Sequence, residues 1–265
     1  MLEMKYLRLA LVEDLFRYKK QGFELDAFPG YTNDQWGIKA HNRPWIEEVG
    51  GFSSGQKIIE VGGAYSLFPH YLQSKYSLEA WIADDFGISS GESIWSRWGN
   101  PDELPQKYPN INYVFQQFGV FSNSYPDHYF DRVFSVSTLE HIPVKNRLNV
   151  IKDMNRCLSK NGLQLHTIDV SIPSIKGCLL YSLTDKISWL EKIVTQLGSD
   201  IRRWVNLFKD SGVEVKCSIP SPIQLLDRSI LVESSDVVYR FYPPNDKPKR
   251  YIPFASLLVV IQKNK

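Results

Sequence analysis

Apolar positions along the chain change period repeatedly, and each change marks an element. Short aliphatic runs at Ile58-Ile59-Glu60-Val61, Leu78 to Ala83, Ile111 to Phe115, Phe130 to Ser137, Leu163 to Val170, Val213 to Cys217 and Ser256 to Gln262 predict seven strands. Between them, stripes at three- and four-residue spacing predict helices. These are Leu67, Tyr71 and Leu72; Val144, Leu148, Ile151 and Leu158; Leu190, Ile193, Val194 and Leu197; and Ile201, Trp204, Val205 and Phe208. At the amino end, Leu7, Leu11 and Leu15 with Val12 and Phe16 predict one further helix, and Trp45 to Val49 a single helical turn. Strands alternating with helices imply an α/β fold around a mostly parallel sheet with helices on both faces.

The chain is organised around Lys57 to Ser66, a strand closed by Gly62-Gly63-Ala64-Tyr65-Ser66. Glycines at that point let the backbone turn sharply and leave room for a ligand above the strand end. Ser66 can cap the next helix, where Pro69 is tolerable in a first turn. Free N–H groups at such a turn face the crevice at the sheet's carboxyl edge, where open α/β sheets bind ligands. The next strand ends at Asp84-Asp85, about 20 residues on, a spacing that suits an acid accepting hydrogen bonds from the ribose hydroxyls of an adenosine ligand. The plainer reading of the same acids is a helix cap or a solvated turn. Thr138-Leu139-Glu140-His141-Ile142-Pro143 lies at another strand end, the position for functional side chains. His141 is the best placed candidate for a general base and His166 a second, while His41, His70 and His128 read as structural or surface residues.

The connections divide the chain. Residues 1–55 read as an N-terminal helix and an aromatic, turn-rich flap that includes Trp36. Residues 56–265 read as one domain with a helical insertion at 171–198 and a lid-like insertion at 218–253, the latter having surface decoration as its alternative. Gly87 to Pro109, with Trp95, Arg97 and Trp98, is either an ordered loop or part of a substrate wall.

Composition narrows the classes. With 31 basic and 29 acidic residues the net charge is +2, so no global field draws the protein to nucleic acid, and Lys247 to Arg250 is the single compact basic cluster. The longest aliphatic run, Leu257 to Ile261, is too short for a membrane span, and Glu13-Asp14 break the N-terminal apolar segment where a signal peptide needs continuity. A cytoplasmic protein is the expectation. Cys157, Cys178 and Cys217 fit no zinc spacing and read as free thiols.

Glu60-Val61-Gly62-Gly63-Ala64-Tyr65-Ser66 resembles the acid-x-Gly-x-Gly-x-Gly turn of class I S-adenosylmethionine-dependent methyltransferases, with Ala64 and Ser66 for the later glycines. Phe130-Asp131-x-Val133-x-Ser135 followed by Leu139 to Pro143 is similar to the fourth-strand signature of that family's small-molecule branch. Arg156-x-Leu158-x-x-Asn161-Gly162 resembles the turn before its fifth strand. The resemblance implies a Rossmann-like, seven-stranded, mostly parallel sheet with an antiparallel last strand, and S-adenosyl-L-methionine as cofactor. It implies further that Glu60 and the backbone of Gly62, Gly63, Ala64 and Tyr65 hold the amino-acid end of that molecule. Asp85, or less favourably Asp84, would hold the ribose; Phe118 would flank the adenine; Ser135 and Ser137 would line the methionine side. Gly119 stands where the family often has an acid.

The implied activity is transfer of a methyl group to a small molecule or glycan, at oxygen, with His141 removing the proton. Some relatives bind magnesium through Glu-x-x-Glu-His, but Ser137 replaces the first glutamate, and no metal is expected. A nicotinamide enzyme would need Gly-x-Gly-x-x-Gly, which Ala64 and Leu67 break. A catalytically silent binding module with the same fold is the remaining alternative.

Overall fold

A computed structural model of the chain describes residues 1–23, 38–87, 99–172, 200–233 and 254–264. In chain order its elements are β1 (Leu2–Leu9), α1 (Val12–Lys20), α2 (Lys39–Gly50), β2 (Lys57–Val61), α3 (Phe68–Tyr76), β3 (Glu79–Ala83), α4 (Leu104–Lys107), β4 (Ile111–Val114), β5 (Phe130–Val136), α5 (Val144–Cys157), β6 (Leu158–Ser171), α6 (Asp200–Asp210), β7 (Val213–Val215) and β8 (Phe254–Lys263). The sheet has eight strands in the order β4-β3-β2-β5-β6-β8-β1-β7. From β4 to β6 every neighbour is parallel, and β8 runs antiparallel to both β6 and β1.

All seven strands expected from the sequence are present, and the eighth corrects the N-terminal reading. Leu2–Leu9 is a strand paired on one side with β8 and on the other with β7, and only Val12–Lys20 is helical. Likewise α2 is three turns rather than one, with Pro44 inside it. Leu158 leaves the helical stripe and opens β6, where it pairs with Phe130 before a register shift around left-handed Asn161.

Helices cover both faces. Ile59, Val133, Ile168 and Val259 pack beneath α5 and α6, against Ile151, Met154 and Phe208. On the opposite face Ile58, Phe134, Leu165 and Leu258 pack beneath α1, α2 and α3, against Leu15, Trp45 and Phe68. This double covering explains why successive residues such as Ile58 and Ile59, or Val133 and Phe134, are apolar in the central strands. Cys157 is buried and its thiol is pushed up to about 12 by burial, while Cys217 is half-buried; both are free. No described helix is long and apolar enough to cross a membrane. The flap with Trp36, Trp95 to Trp98, Cys178, the helix expected at 190–197, most of the lid and Lys247 to Arg250 lie outside the described residues.

Candidate active site at the carboxyl edge of the sheet

β2 ends at Val61, and the backbone turns at once through Gly62, whose φ is +72°. Its N–H donates to the carbonyl of Ala83 on β3 at 2.8 Å, fastening the turn to the neighbouring strand. A Cβ at Gly62 would stand 1.9 Å from the Thr138 methyl, so the space freed by this glycine is filled by protein, not left open above the strand. Thr138 in turn donates its hydroxyl to the Gly62 carbonyl at 3.3 Å. Thus the turn after β5 is keyed directly into the turn after β2. Ala64 takes a left-handed conformation, φ +42°, that a glycine would hold without strain. The Ser66 hydroxyl accepts the N–H of Phe68 at 3.2 Å, so it serves the start of α3 one residue ahead of Leu67.

The two aspartates after β3 divide. Asp84 accepts the N–H of Ala64 at 3.0 Å through one oxygen and that of Phe86 at 2.6 Å through the other, so its carboxylate bridges the strand end and the glycine turn. Burial pushes it up to about 6 despite those bonds. Asp85 accepts the N–H of Gly87 at 3.1 Å. Phe86 meets Tyr65 edge-on at 5.2 Å and Phe115 at 5.7 Å, an aromatic group beside Asp84 that the sequence reading did not single out.

Glu60 is 2% exposed, and its Oε2 has no hydrogen-bond partner. Burial pushes its carboxyl up to about 7, opposed by the positive charge of Arg43, by the Ser66 hydroxyl and by Lys39. Arg43 and Asn42 are buried on α2, and Lys39 starts that helix. The helix start is held by Glu233, which accepts the N–H of Ile38 at 2.7 Å. Lys39 also acts on Asp169, near the end of β6, so its positive charge opposes the rise of two carboxyls on different strands.

Asp169 accepts the hydroxyl of Ser137 at 3.0 Å, and Asn42 donates to the same hydroxyl at 3.3 Å. Facing Asp169 is Glu140, whose side chain is 14% exposed and whose two carboxyl oxygens are both buried without a donor. Burial and the neighbouring Asp169 push Glu140 well above the usual carboxylate range, and burial pushes Asp169 up to about 6. Two carboxyls in contact cannot both be ionised, so the pair holds a proton. Arg147 fixes the intervening turn by donating to the carbonyls of Glu140 at 2.6 Å and Ile142 at 2.8 Å.

The sequence-derived candidates therefore separate. Glu60, Gly62, Gly63, Ala64, Tyr65, Asp84, Asp85 and Ser137 gather at the carboxyl edge. His141 sits on the rim, 79% exposed, with Nε2 3.9 Å from Glu140 Oε1. Two residues lie elsewhere. Phe118 is 2% exposed and stacks flat on Tyr125 at 4.2 Å, so its ring belongs to the core beneath α5. Ser135 is fully buried and meets His166 Nδ1 at 2.9 Å, in a polar chain that runs on to Gln164 and Asn155. Burial lowers His166 to about 3, which keeps it neutral and removes it as a working base. Among the described residues no three His, Cys, Asp or Glu side chains are grouped to hold a metal ion.

Comparison with known proteins adds one match by sequence. A family model described as a methyltransferase domain matches residues 101–165, a span that holds β4, β5, the turn with Glu140 and His141, and α5. No curated protein matches. Among solved structures, phosphoethanolamine N-methyltransferase 2 of Haemonchus contortus with S-adenosyl-L-methionine is 13% identical, with a TM-score of 0.45 over 84% of this chain and 52% of that one. The present chain thus spans about half the length of that enzyme. The YcgJ protein of Bacillus subtilis is 14% identical, with a TM-score of 0.47 over 85% of this chain and 99% of its own. Geranyl diphosphate C-methyltransferase of Streptomyces coelicolor, in complex with magnesium, geranyl diphosphate and S-adenosyl-L-homocysteine, is 8% identical, with a TM-score of 0.48 over 85% and 79%. The match over residues 101–165 thus falls on β4, β5 and α5 of an open, mostly parallel sheet with an antiparallel last strand.

Proposed function

We propose that the chain transfers the methyl group of S-adenosylmethionine to an oxygen of a small molecule or glycan. The observation that carries this is the unpartnered Glu60 oxygen, buried at the head of a glycine turn that Asp84 spans from the next strand. A buried carboxyl oxygen left without a donor in such a place calls for a cationic one, and the ammonium of an amino-acid moiety supplies it. Asp84 faces the same turn and is the acid for the ribose hydroxyls; Asp85 is turned to Gly87. The Phe86, Tyr65 and Phe115 rings beside Asp84 provide the flat apolar surface for adenine that the buried Phe118 does not.

Bound there, S-adenosylmethionine supplies an already activated methyl group. The protein's share of the work is placement and the exclusion of water. The neighbouring Ser137, Glu140 and Asp169 then form the side from which the acceptor approaches.

Calorimetry with S-adenosylhomocysteine tests the reading. Binding is expected in the micromolar range or tighter, and Asp84→Asn, which keeps an oxygen for the Ala64 N–H, is expected to weaken it at least tenfold, about 1.4 kcal/mol. Asp85→Asn should leave it within about twofold. No heat with folded protein overturns the cofactor, and equal losses at both aspartates overturn the ribose assignment.

A further inference from the structure

We propose that Glu140 and Asp169 form a proton-sharing carboxyl pair that faces the transferred methyl group and takes the proton of the acceptor hydroxyl, with His141 as its outlet to solvent. The inference rests on the function proposed above and deepens its acceptor side.

Geometry carries it. The pair stands on two adjacent strand ends, the turn after β5 and the end of β6, beside the glycine turn that Thr138 locks in place. Both Glu140 oxygens are buried, and a proton held against Asp169 supplies the side-chain donor they lack. A second orphaned oxygen, on Glu60 at 2% exposure, lies on the adjacent strand β2, and the positive charge of Lys39 acts on both Glu60 and Asp169. Ser137 and Asn42 orient Asp169 from below, so one of its oxygens is committed to the protein and the other is turned to the pair.

In chemical terms the monoanionic pair has room for one more proton. As the acceptor oxygen forms its bond to the methyl carbon, the carbon–sulfur bond breaks and its electron pair leaves with sulfur. The acceptor's O–H bond breaks at the same centre, its electrons stay on oxygen, and its proton passes to the Asp169 carboxylate. The pair is then neutral. Glu140, 3.9 Å from His141 Nε2, returns one proton through that exposed ring to water. The charged and titratable groups facing the pair are Lys39 from α2, Glu60 beyond it on β2, His141 on the turn itself and Arg147 from α5, which binds the turn's backbone.

The test compares two probes with the full-length protein by calorimetry. S-adenosylhomocysteine lacks the transferred group, and sinefungin carries an ammonium in its place. At pH 7.5 sinefungin is expected to bind at least fivefold more tightly, the preference fading below about pH 6 as the pair becomes neutral. Asp169→Asn should abolish the preference while leaving S-adenosylhomocysteine affinity within about twofold. Glu140→Gln, whose amide donates to Asp169, should keep the preference and move its midpoint to lower pH. Failure of S-adenosylhomocysteine to bind overturns the cofactor itself. Normal binding with a preference that Asp169→Asn does not change overturns the pair, and if that variant does not fold, an unmoved midpoint in Glu140→Gln does so instead.

Discussion

Two small residues in the turn after β2 are constrained for opposite reasons. Gly62 is held both by its φ of +72° and by the Thr138 methyl, 1.9 Å from where a Cβ would stand. Gly62→Ala therefore combines about 1–2 kcal/mol of left-handed strain with a steric clash, and a loss of at least about 3 kcal/mol is expected in urea unfolding. Thr138→Ala in the same chain should recover the steric part and leave the conformational part, so the double variant unfolds about 1–2 kcal/mol more easily than the Thr138→Ala single variant. Complete recovery would show that the turn tolerates a side chain after all. Ala64 is the reverse case, a Cβ where the backbone is left-handed at φ +42°. Ala64→Gly is expected to be neutral to stabilising by up to about 1 kcal/mol, unlike most glycine substitutions, and to leave the Ala64 N–H bond to Asp84 in place. A loss above about 1 kcal/mol by the same measurement would mean that the strained alanine is favoured by packing not accounted for by its dihedral.

At the scale of elements, β1 explains where pattern reading goes astray. Its apolar residues face one side at Leu2 and Met4, then the same side again at Leu7 and Leu9, because the register against β8 shifts between Met4 and Tyr6. A bulge of one residue inverts the alternation midway, and what is left, Leu7 followed by Leu11 and Leu15, has helical spacing by coincidence. β2 and β3 carry no such interruption and were legible from composition and length. α2 was read too short for a different reason. Its first turn buries His41, Asn42 and Arg43, polar side chains that interrupt the hydrophobic period ahead of Trp45 and Ile46. The glycine turn and the Asp84-Asp85 pair could be singled out because glycine clusters and strand-end acids are rare signals, whereas Asp169 lies inside a strand whose neighbours are apolar. Ser135 and Ser137 look alike in the sequence, yet Ser135 is a fully buried serine one turn of the pleat below. β1, one strand in from the edge of the sheet, should matter energetically because it pairs on both sides. Met4, fully buried opposite Ile261, is expected to cost about 2–5 kcal/mol as Met4→Ala, measured by denaturant midpoint; a loss below about 1 kcal/mol would mean that β1 is not part of the cooperative core.

For the molecule as a whole, the carboxyl edge should set how stability depends on pH. Glu60 rises to about 7, Asp84 and Asp169 to about 6, and Glu140 well above its usual range, all chiefly through burial. A carboxyl whose pKa is higher folded than unfolded gives stability that is complete below the unfolded value and is lost as pH rises through the folded one. For Glu60 that window runs from about 4.5 to about 7, and at 1.36 kcal/mol per unit the loss is roughly 3 kcal/mol. His166 works in the other direction. Held near 3 by burial, it stays neutral in the folded chain while the unfolded chain takes up a proton below about 6.5, so it removes stability as pH falls. Asp14 sits below its ordinary value, mainly through its bond to His41, and its contribution is lost only under more acid conditions. Four carboxyls against one imidazole leave a net gain on acidification, and the ligand-free protein is expected to be most stable near about pH 4.5, falling by several kcal/mol as pH rises to about 7. Urea midpoints across that range check it, and a flat or rising profile would contradict the burial of these acids. Saturating S-adenosylhomocysteine should flatten the upper limb, because an ammonium beside Glu60 replaces the missing donor and restores the ionised form as the favoured one.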